Sequence, residues 1–253
     1  MKIREIIDAI EAYAPLDLQE EWDNSGIQLG CADDDVKGVL LCTDVRDEIL
    51  DEAIERGANL IVSHHPLIFH PLKKIAGRNY IERIVARAIK HDITIYAAHT
   101  NMDAALGGVN HKMASKLSLV DVEPLDTLGV VGNLPEPEPA IDFLRRVKDT
   151  FEVETMRYSG VIDGITVSRV AMCGGSGSFL KRKAIEAGTQ VFITGDCKYH
   201  EFMGDERRII LADIGHWESE HFTKEIFLDI INKKNPTFAV DFARNEHNQL
   251  NYL

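Results

Sequence analysis

The chain has 253 residues, is 45% apolar and 27% charged, and carries a formal net charge of −13. That length holds one large α/β domain or two modest ones with a substantial core, and the composition is that of an ordinary globular protein. The acidic balance argues against nonspecific nucleic-acid binding, which needs a basic footprint, but a bound cation could still reverse the local sign around a nucleotide.

Helical spacing with interleaved charges covers residues 3–13 and stops before Pro15. It lacks the unbroken apolar core of a signal peptide, and no later run reaches membrane-spanning length, so the expected compartment is the cytoplasm. Asp23-Asn24-Ser25-Gly26 is turn chemistry, followed by a short alternation at Ile27 and Leu29; Trp22 beside it reads as a packing anchor. Val39-Leu40-Leu41-Cys42 is a buried strand, and a helix from about Glu48 follows with Gly57 as its stop. Asn59-Leu60-Ile61-Val62 is a second buried strand that delivers Ser63-His64-His65-Pro66 at its end. Taken alone, that pair reads either as a metal-binding element or as a turn with one exposed and one hydrogen-bonded histidine. A helix around residues 80–89 and a third strand at 93–97 come next, then His99-Thr100-Asn101-Met102-Asp103. Alternating strands and helices predict parallel pairing with helical crossovers.

A helix near residues 109–117 leads into a mixed region, and Pro135-Glu136-Pro137-Glu138-Pro139 reads as a linker. Residues 36–57 then align without a gap over 167–188, at a constant offset of 131. Val36/Val167, Val39/Val170, Cys42/Cys173, Ala53/Ala184, Ile54/Ile185, Glu55/Glu186 and Gly57/Gly188 are identical, seven of 22 positions. Average composition gives roughly one or two by chance, so an internal duplication is inferred. The expected fold is therefore two similar α/β lobes, 1–125 and 126–253, with mostly parallel sheets and a metal site between them. A third strand of the second lobe at 209–212 ends in Asp213-Ile214-Gly215-His216-Trp217-Glu218-Ser219-Glu220. A long helix, a strand at 238–242 and a polar tail complete the chain.

His216 and Glu220 are four apart at the expected start of that last helix, which puts both on one face. With His64, His65 and Asp103 they all follow the C-terminal ends of predicted strands, the edge where open parallel sheets bind ligands. Three imidazoles and two carboxylates suit two divalent ions, with Zn, Mn and Fe equally compatible. His99 reads as an orienting residue behind a ligand or as a further ligand. His200 lies near the same edge without an assigned role, and His70, His91, His111, His221 and His247 read as structural or solvated. Cys173-Gly174-Gly175-Ser176-Gly177-Ser178 could cradle phosphate or simply make a tight turn, and lacks the ending of a P-loop. Four scattered cysteines (Cys31, Cys42, Cys173, Cys197) read as reduced, mostly buried thiols.

Trp22-Asp23-Asn24-Ser25-Gly26, His64-His65-Pro66-Leu67-Ile68-Phe69, His99-Thr100-Asn101-Met102-Asp103 and Gly215-His216-Trp217-Glu218-Ser219-Glu220 together resemble the Nif-three-like family. Its members are often named GTP cyclohydrolase I type 2 homologues, and the match is to the short bacterial form. The resemblance implies a dinuclear metal site with His64, His65, Asp103, His216 and Glu220 as ligands. It also implies a cytoplasmic, ring-shaped homohexamer. For function it implies a metal-dependent hydrolase of a nucleotide-like substrate, in the cyclohydrolase case opening guanine at C8 with loss of formate. The same site could serve a phosphoesterase, or a metal carrier or regulatory protein that catalyses nothing. No nucleic-acid or membrane partner is expected.

Overall fold

The computed structural model of the protein describes residues 1–160, 162–235 and 238–253. The chain opens with α1 (Ile3–Tyr13), β1 (Gly26–Leu29), β2 (Val39–Cys42), α2 (Asp47–Arg56), β3 (Leu60–Ser63), α3 (Tyr80–Lys90), β4 (Thr94–Ala97) and the short α4 (Thr100–Ala104). It continues through α5 (Val109–Lys116), β5 (Val120–Pro124), β6 (Val130–Pro139), α6 (Ala140–Thr150), β7 (Arg157–Tyr158) and β8 (Thr166–Met172). Then come α7 (Lys181–Glu186), β9 (Val191–Thr194), β10 (Ile210–Asp213), α8 (His216–Glu220), α9 (Thr223–Lys234) and β11 (Val240–Phe242).

These elements form two units. Residues 1–105 and 221–249 make the first, and 106–220 with 250–253 make the second. The expected boundary between 125 and 126 does not describe this division, because the chain returns to the first unit near its end. There α9 packs on α1, and β11 pairs in parallel with β2 from Val240↔Val39 to Phe242↔Leu41. The strand expected at 238–242 is there as β11, but its place at the edge beside β2 is set by the fold and leaves no local signature in sequence.

The first sheet has the order β1-β4-β3-β2-β11, parallel except for β1, which runs antiparallel to β4. Every residue of β2, β3 and β4 is buried, as continuous apolar runs in a sheet covered on both faces should be. Ile3, Ile6, Ile7 and Ile10 line the buried stripe of α1. Ile49, Leu50 and Ala53 of α2 and Ile84, Val85 and Ala88 of α3 share one cluster with Leu40, Ile61 and Ile95 of the strands. Each buried Ile, Leu or Val side chain among them contributes about 1.5–3 kcal/mol through burial.

The second sheet has the order β5-β6-β8-β9-β10-β7, with parallel β8, β9 and β10 extended by antiparallel strands on both sides. Here the proline-rich segment departs from expectation. It is no linker, since residues 135–139 are the end of β6, and Glu138 and Pro139 lie opposite Val167 and Thr166 of β8 after a register shift. β5 pairs with β6 only as far as Asn133. Beyond that point β6 is an edge, where a missing proline N–H removes no ladder bond.

The duplication has a structural counterpart. Val39↔Leu60 in the β2–β3 ladder and Val170↔Val191 in the β8–β9 ladder are the same register displaced by 131. Helix α2 ends on Gly57 at φ 69°, and the segment after α7 turns on Gly188 at φ 75°. A Cβ at either glycine would meet no atom within 4 Å, so only the left-handed backbone opposes a side chain there. Gly57→Ala and Gly188→Ala should therefore each lower stability in urea unfolding by about 1–2 kcal/mol. Unchanged midpoints in both variants would contradict the two caps.

Candidate metal centre

In the first unit β2, β3 and β4 lie side by side in parallel, so the residues leaving their C-terminal ends are neighbours. Asp44 follows β2, His64 and His65 follow β3, and His99 through Asp103 follow β4. The β2–β3 ladder runs one step past the strands: the His64 and His65 amides donate to the carbonyls of Cys42 and Thr43. That fixes the backbone under both rings, and the Ser63 hydroxyl donates to the His65 carbonyl at 2.8 Å.

His64 is fully buried, and its Nδ1 donates to the Ala98 carbonyl at 3.0 Å. A carbonyl only accepts, so the proton sits on Nδ1 and the lone pair on Nε2. His65 Nδ1 donates to Asp44 Oδ1 at 2.8 Å, and His99 Nδ1 to Asp23 Oδ1 at 2.8 Å. Ligand atoms of His64, His65 and His99 lie within 4.8 Å of one another. Asp103, on α4 and 9% exposed, places Oδ1 3.7 Å from His64 Nε2. Four of the residues singled out in sequence thus come together in this unit.

Asp23 was not among them. Its buried carboxylate accepts from His99, Thr100 N, Thr100 Oγ1, Ser25 Oγ and Asn24 N. Burial alone would push this carboxyl up, but the donors, His99 first, hold it well below the usual carboxylate range. The turn at residues 23–26 therefore exists to hold an anion behind His99. Trp22, read as a packing anchor, is instead 56% exposed.

The second unit repeats the plan on β8, β9 and β10. The glycine loop follows β8, Asp196 follows β9, and α8 follows β10. His216 and Glu220 do not begin the last long helix as expected. They occupy the two ends of α8, a separate five-residue helix, and the four-residue spacing still brings them together. His216 Nε2 is 3.0 Å from Glu220 Oε2, and its Nδ1 is 2.7 Å from Asp196 Oδ2. His99/Asp103 after β4 and His216/Glu220 after β10 thus have the same four-residue spacing at short helices, although His99 caps α4 from outside while His216 opens α8. Asp196 corresponds to His65 in the repeat, a signal that could have marked it.

The glycine loop spends three of its amides inside the fold. The amides of Gly174, Gly175 and Gly177 are taken by Asn110 Oδ1, Ser219 Oγ and Thr194 Oγ1, each at 2.9 Å. Gly175 has φ 60°, and a Cβ there would run into the Glu220 carboxylate. The glycines make room for Glu220, which is 2% exposed. His200 is exposed, as are His70, His91 and His247, while His111 and His221 are half-buried. Cys42, Cys173 and Cys197 are buried and Cys31 is exposed; burial pushes the Cys197 thiol up to about 12. Among the described residues, no helix is long and apolar enough to cross a membrane.

The donor groups could hold a metal ion. Imidazoles with Nδ1 tied to an oxygen, beside buried carboxylates, are the arrangement that orients metal ligands. Without an ion, the Glu220 carboxylate, working against burial and helped by Asp196, raises the His216 pKa to about 11. A folded value above the unfolded value of 6.5 gives stability that is full below about pH 6.5 and is lost as pH rises toward about 11. Metal-free protein should therefore weaken across that window, and Glu220→Gln should flatten the dependence. Chemical denaturation at stepped pH, with His216 titrated by NMR, checks this. A His216 resonance that titrates near pH 6.5 would contradict it.

The chain matches the family model described as Duf34/NIF3 (NGG1p interacting factor 3) over residues 1–249. A Clostridium perfringens protein named "GTP cyclohydrolase 1 type 2 homolog" is 34% identical over 230 residues, 87% of each chain. A Lactococcus lactis protein of the same name is 33% identical over 243 residues, 94% of this chain and 93% of that one. Among solved structures, a Bacillus cereus protein related to NIF3 superposes with TM-score 0.91 at 25% identity, covering 100% of this chain and 99% of that one. Reduced HcgD from Methanocaldococcus jannaschii gives TM-score 0.81 at 25% identity, over 96% and 98%. With a family model spanning nearly every residue and relatives similar along almost their whole length, the chain is a member of the Duf34/NIF3 family.

Proposed function

We propose that His64, His65, Asp103, His216 and Glu220 hold two divalent cations, and that the protein is a metal-dependent hydrolase of a nucleotide-like substrate. The observation that carries this reading is the anchoring of Nδ1 in all three imidazoles, by the Ala98 carbonyl, Asp44 and Asp196. Each anchor commits Nε2 to whatever the ring faces, which a merely structural histidine does not need. The relatives' shared name points to the same chemistry. A divalent ion at such a site supplies Lewis-acid polarisation and a lowered water pKa. His99, held by Asp23, is the residue suited to take or return a proton beside it. Zn, Mn and Fe all suit the donors. A homohexameric ring and a cytoplasmic location belong to the same proposal and rest on the family resemblance alone.

Protein loaded separately with Zn, Mn or Fe, incubated with GTP and a phosphoester panel, should release formate or phosphate in at least one metal form, and chelator should abolish it. Formate would support cyclohydrolase chemistry and phosphate a phosphoesterase. If no form turns over and His64→Ala removes only bound metal, the protein is a carrier. His65→Ala and Glu220→Gln should each lower metal stoichiometry as read by mass spectrometry. Unchanged stoichiometry in both would refute the ligand set.

A further inference from the structure

Two loops of the first unit each lift one large aromatic ring into solvent beside the imidazole cluster. Trp22 stands in the turn before β1, and Phe69 follows the His64-His65-Pro66 strand end. They are 56% and 39% exposed, although their ring centroids are 5.7 Å apart, with planes at 31°. His99 lies 5.9 Å from both and meets each edge-on. It also lies 5.3 Å from His64 and 5.4 Å from His65. An exposed aromatic wall therefore meets His99, which in turn lies beside His64 and His65, two of the histidines proposed to bind metal.

The wall is held in place. Asn24 Nδ2 donates to the Ile68 carbonyl at 2.6 Å, Ile68 N donates to Gln28 Oε1 at 3.1 Å, and Gln28 Nε2 donates to the Asn24 carbonyl at 2.6 Å. One glutamine and one asparagine thus lace the Trp22 loop to the Phe69 loop. Asp23, next to Trp22, is fixed by the five donors that reach its carboxylate. Rings ordered in advance cost a ligand little to use.

We propose that Trp22 and Phe69 form a stacking platform for a planar nitrogen heterocycle, the ring portion of the ligand handled at the adjacent imidazoles. Aromatic faces pair well with flat rings in offset or tilted geometry, and base–aromatic stacking tolerates any base because each has a π-face. Two side chains make a surface the size of one ring system. A stable protein–protein contact needs about 800 Å² per partner. This assignment deepens the proposed function by naming what its substrate carries, and ring binding itself needs no bound metal.

Calorimetric titration of metal-loaded and metal-free protein with guanosine 5′-monophosphate, uridine 5′-monophosphate and ribose 5-phosphate tests it. Both nucleotides should bind more tightly than ribose 5-phosphate. Trp22→Ala should weaken them about tenfold, leave ribose 5-phosphate and metal stoichiometry unchanged, and keep the parent Tm. Trp22→Phe should restore most of the loss. Nucleotide affinity that is absent, equal to that of ribose 5-phosphate, or insensitive to Trp22→Ala overturns the platform. So does a Trp22→Ala protein that changes its oligomeric state in light scattering while binding nucleotide normally. Failure of the metal reading would appear separately, as His65→Ala and Glu220→Gln proteins that both keep their full metal content.

Discussion

A neutral imidazole carries one proton and one lone pair, and whichever nitrogen is hydrogen-bonded to an oxygen decides where the other points. That constraint governs His64 and, in the neutral form that binds a metal, His65 and His216, and with them most of the surrounding design. His64 is tied to a backbone carbonyl and so has a fixed tautomer inside a fully buried setting. His65 and His216 are tied to carboxylates, and at His216 the Glu220 and Asp196 carboxylates also raise the basicity of the ring. The oxygens arrive because parallel strands end side by side: Asp44 comes from the strand next to that of His65, and Asp196 from the strand next to that of His216. Asp23 reaches His99 by another route, from the turn before an antiparallel edge strand.

The duplicated plan explains why so short a chain can build this edge twice. Its ladders share one register over the first two parallel strands of each unit, and both units then place a histidine and an acid four residues apart at a five-residue helix, His99 as the N-cap of α4 and His216 as the first residue of α8. They differ in what joins the second and third strands. Helix α3 crosses between β3 and β4, whereas among the described residues only a 3₁₀ turn at Tyr199–Phe202 lies between β9 and β10. The roles diverge accordingly: the position of His65 in one unit is that of Asp196 in the other, a ring in the first and the anchor of a ring in the second.

Much of this was legible in sequence. Val39-Leu40-Leu41-Cys42 and Asn59-Leu60-Ile61-Val62 read as buried strands because they are short, nearly continuous apolar runs, and Gly57 marked a helix end. His64, His65, Asp103, His216 and Glu220 stood out by falling after strands. The anchors Asp44, Asp23 and Asp196 did not, because carboxylates at strand ends and in turns are common and only contact shows which ones hold a ring. The proline-rich end of β6 was hidden by composition, its edge position being a property of how far β5 extends. Strand β11 was hidden as a partner of β2, since joining a sheet edge leaves no local signature. Trp22 was misjudged because side-chain type fixes neither burial nor exposure.

The central claim is that pre-oriented Nε2 atoms await a cation. Anomalous diffraction from crystals of the zinc-loaded protein addresses it directly. The account predicts peaks about 2.0–2.1 Å from Nε2 of His64, His65 and His216, with Nδ1 of each still on Ala98, Asp44 and Asp196. Zinc bound through Nδ1, or found only away from these rings, would contradict it.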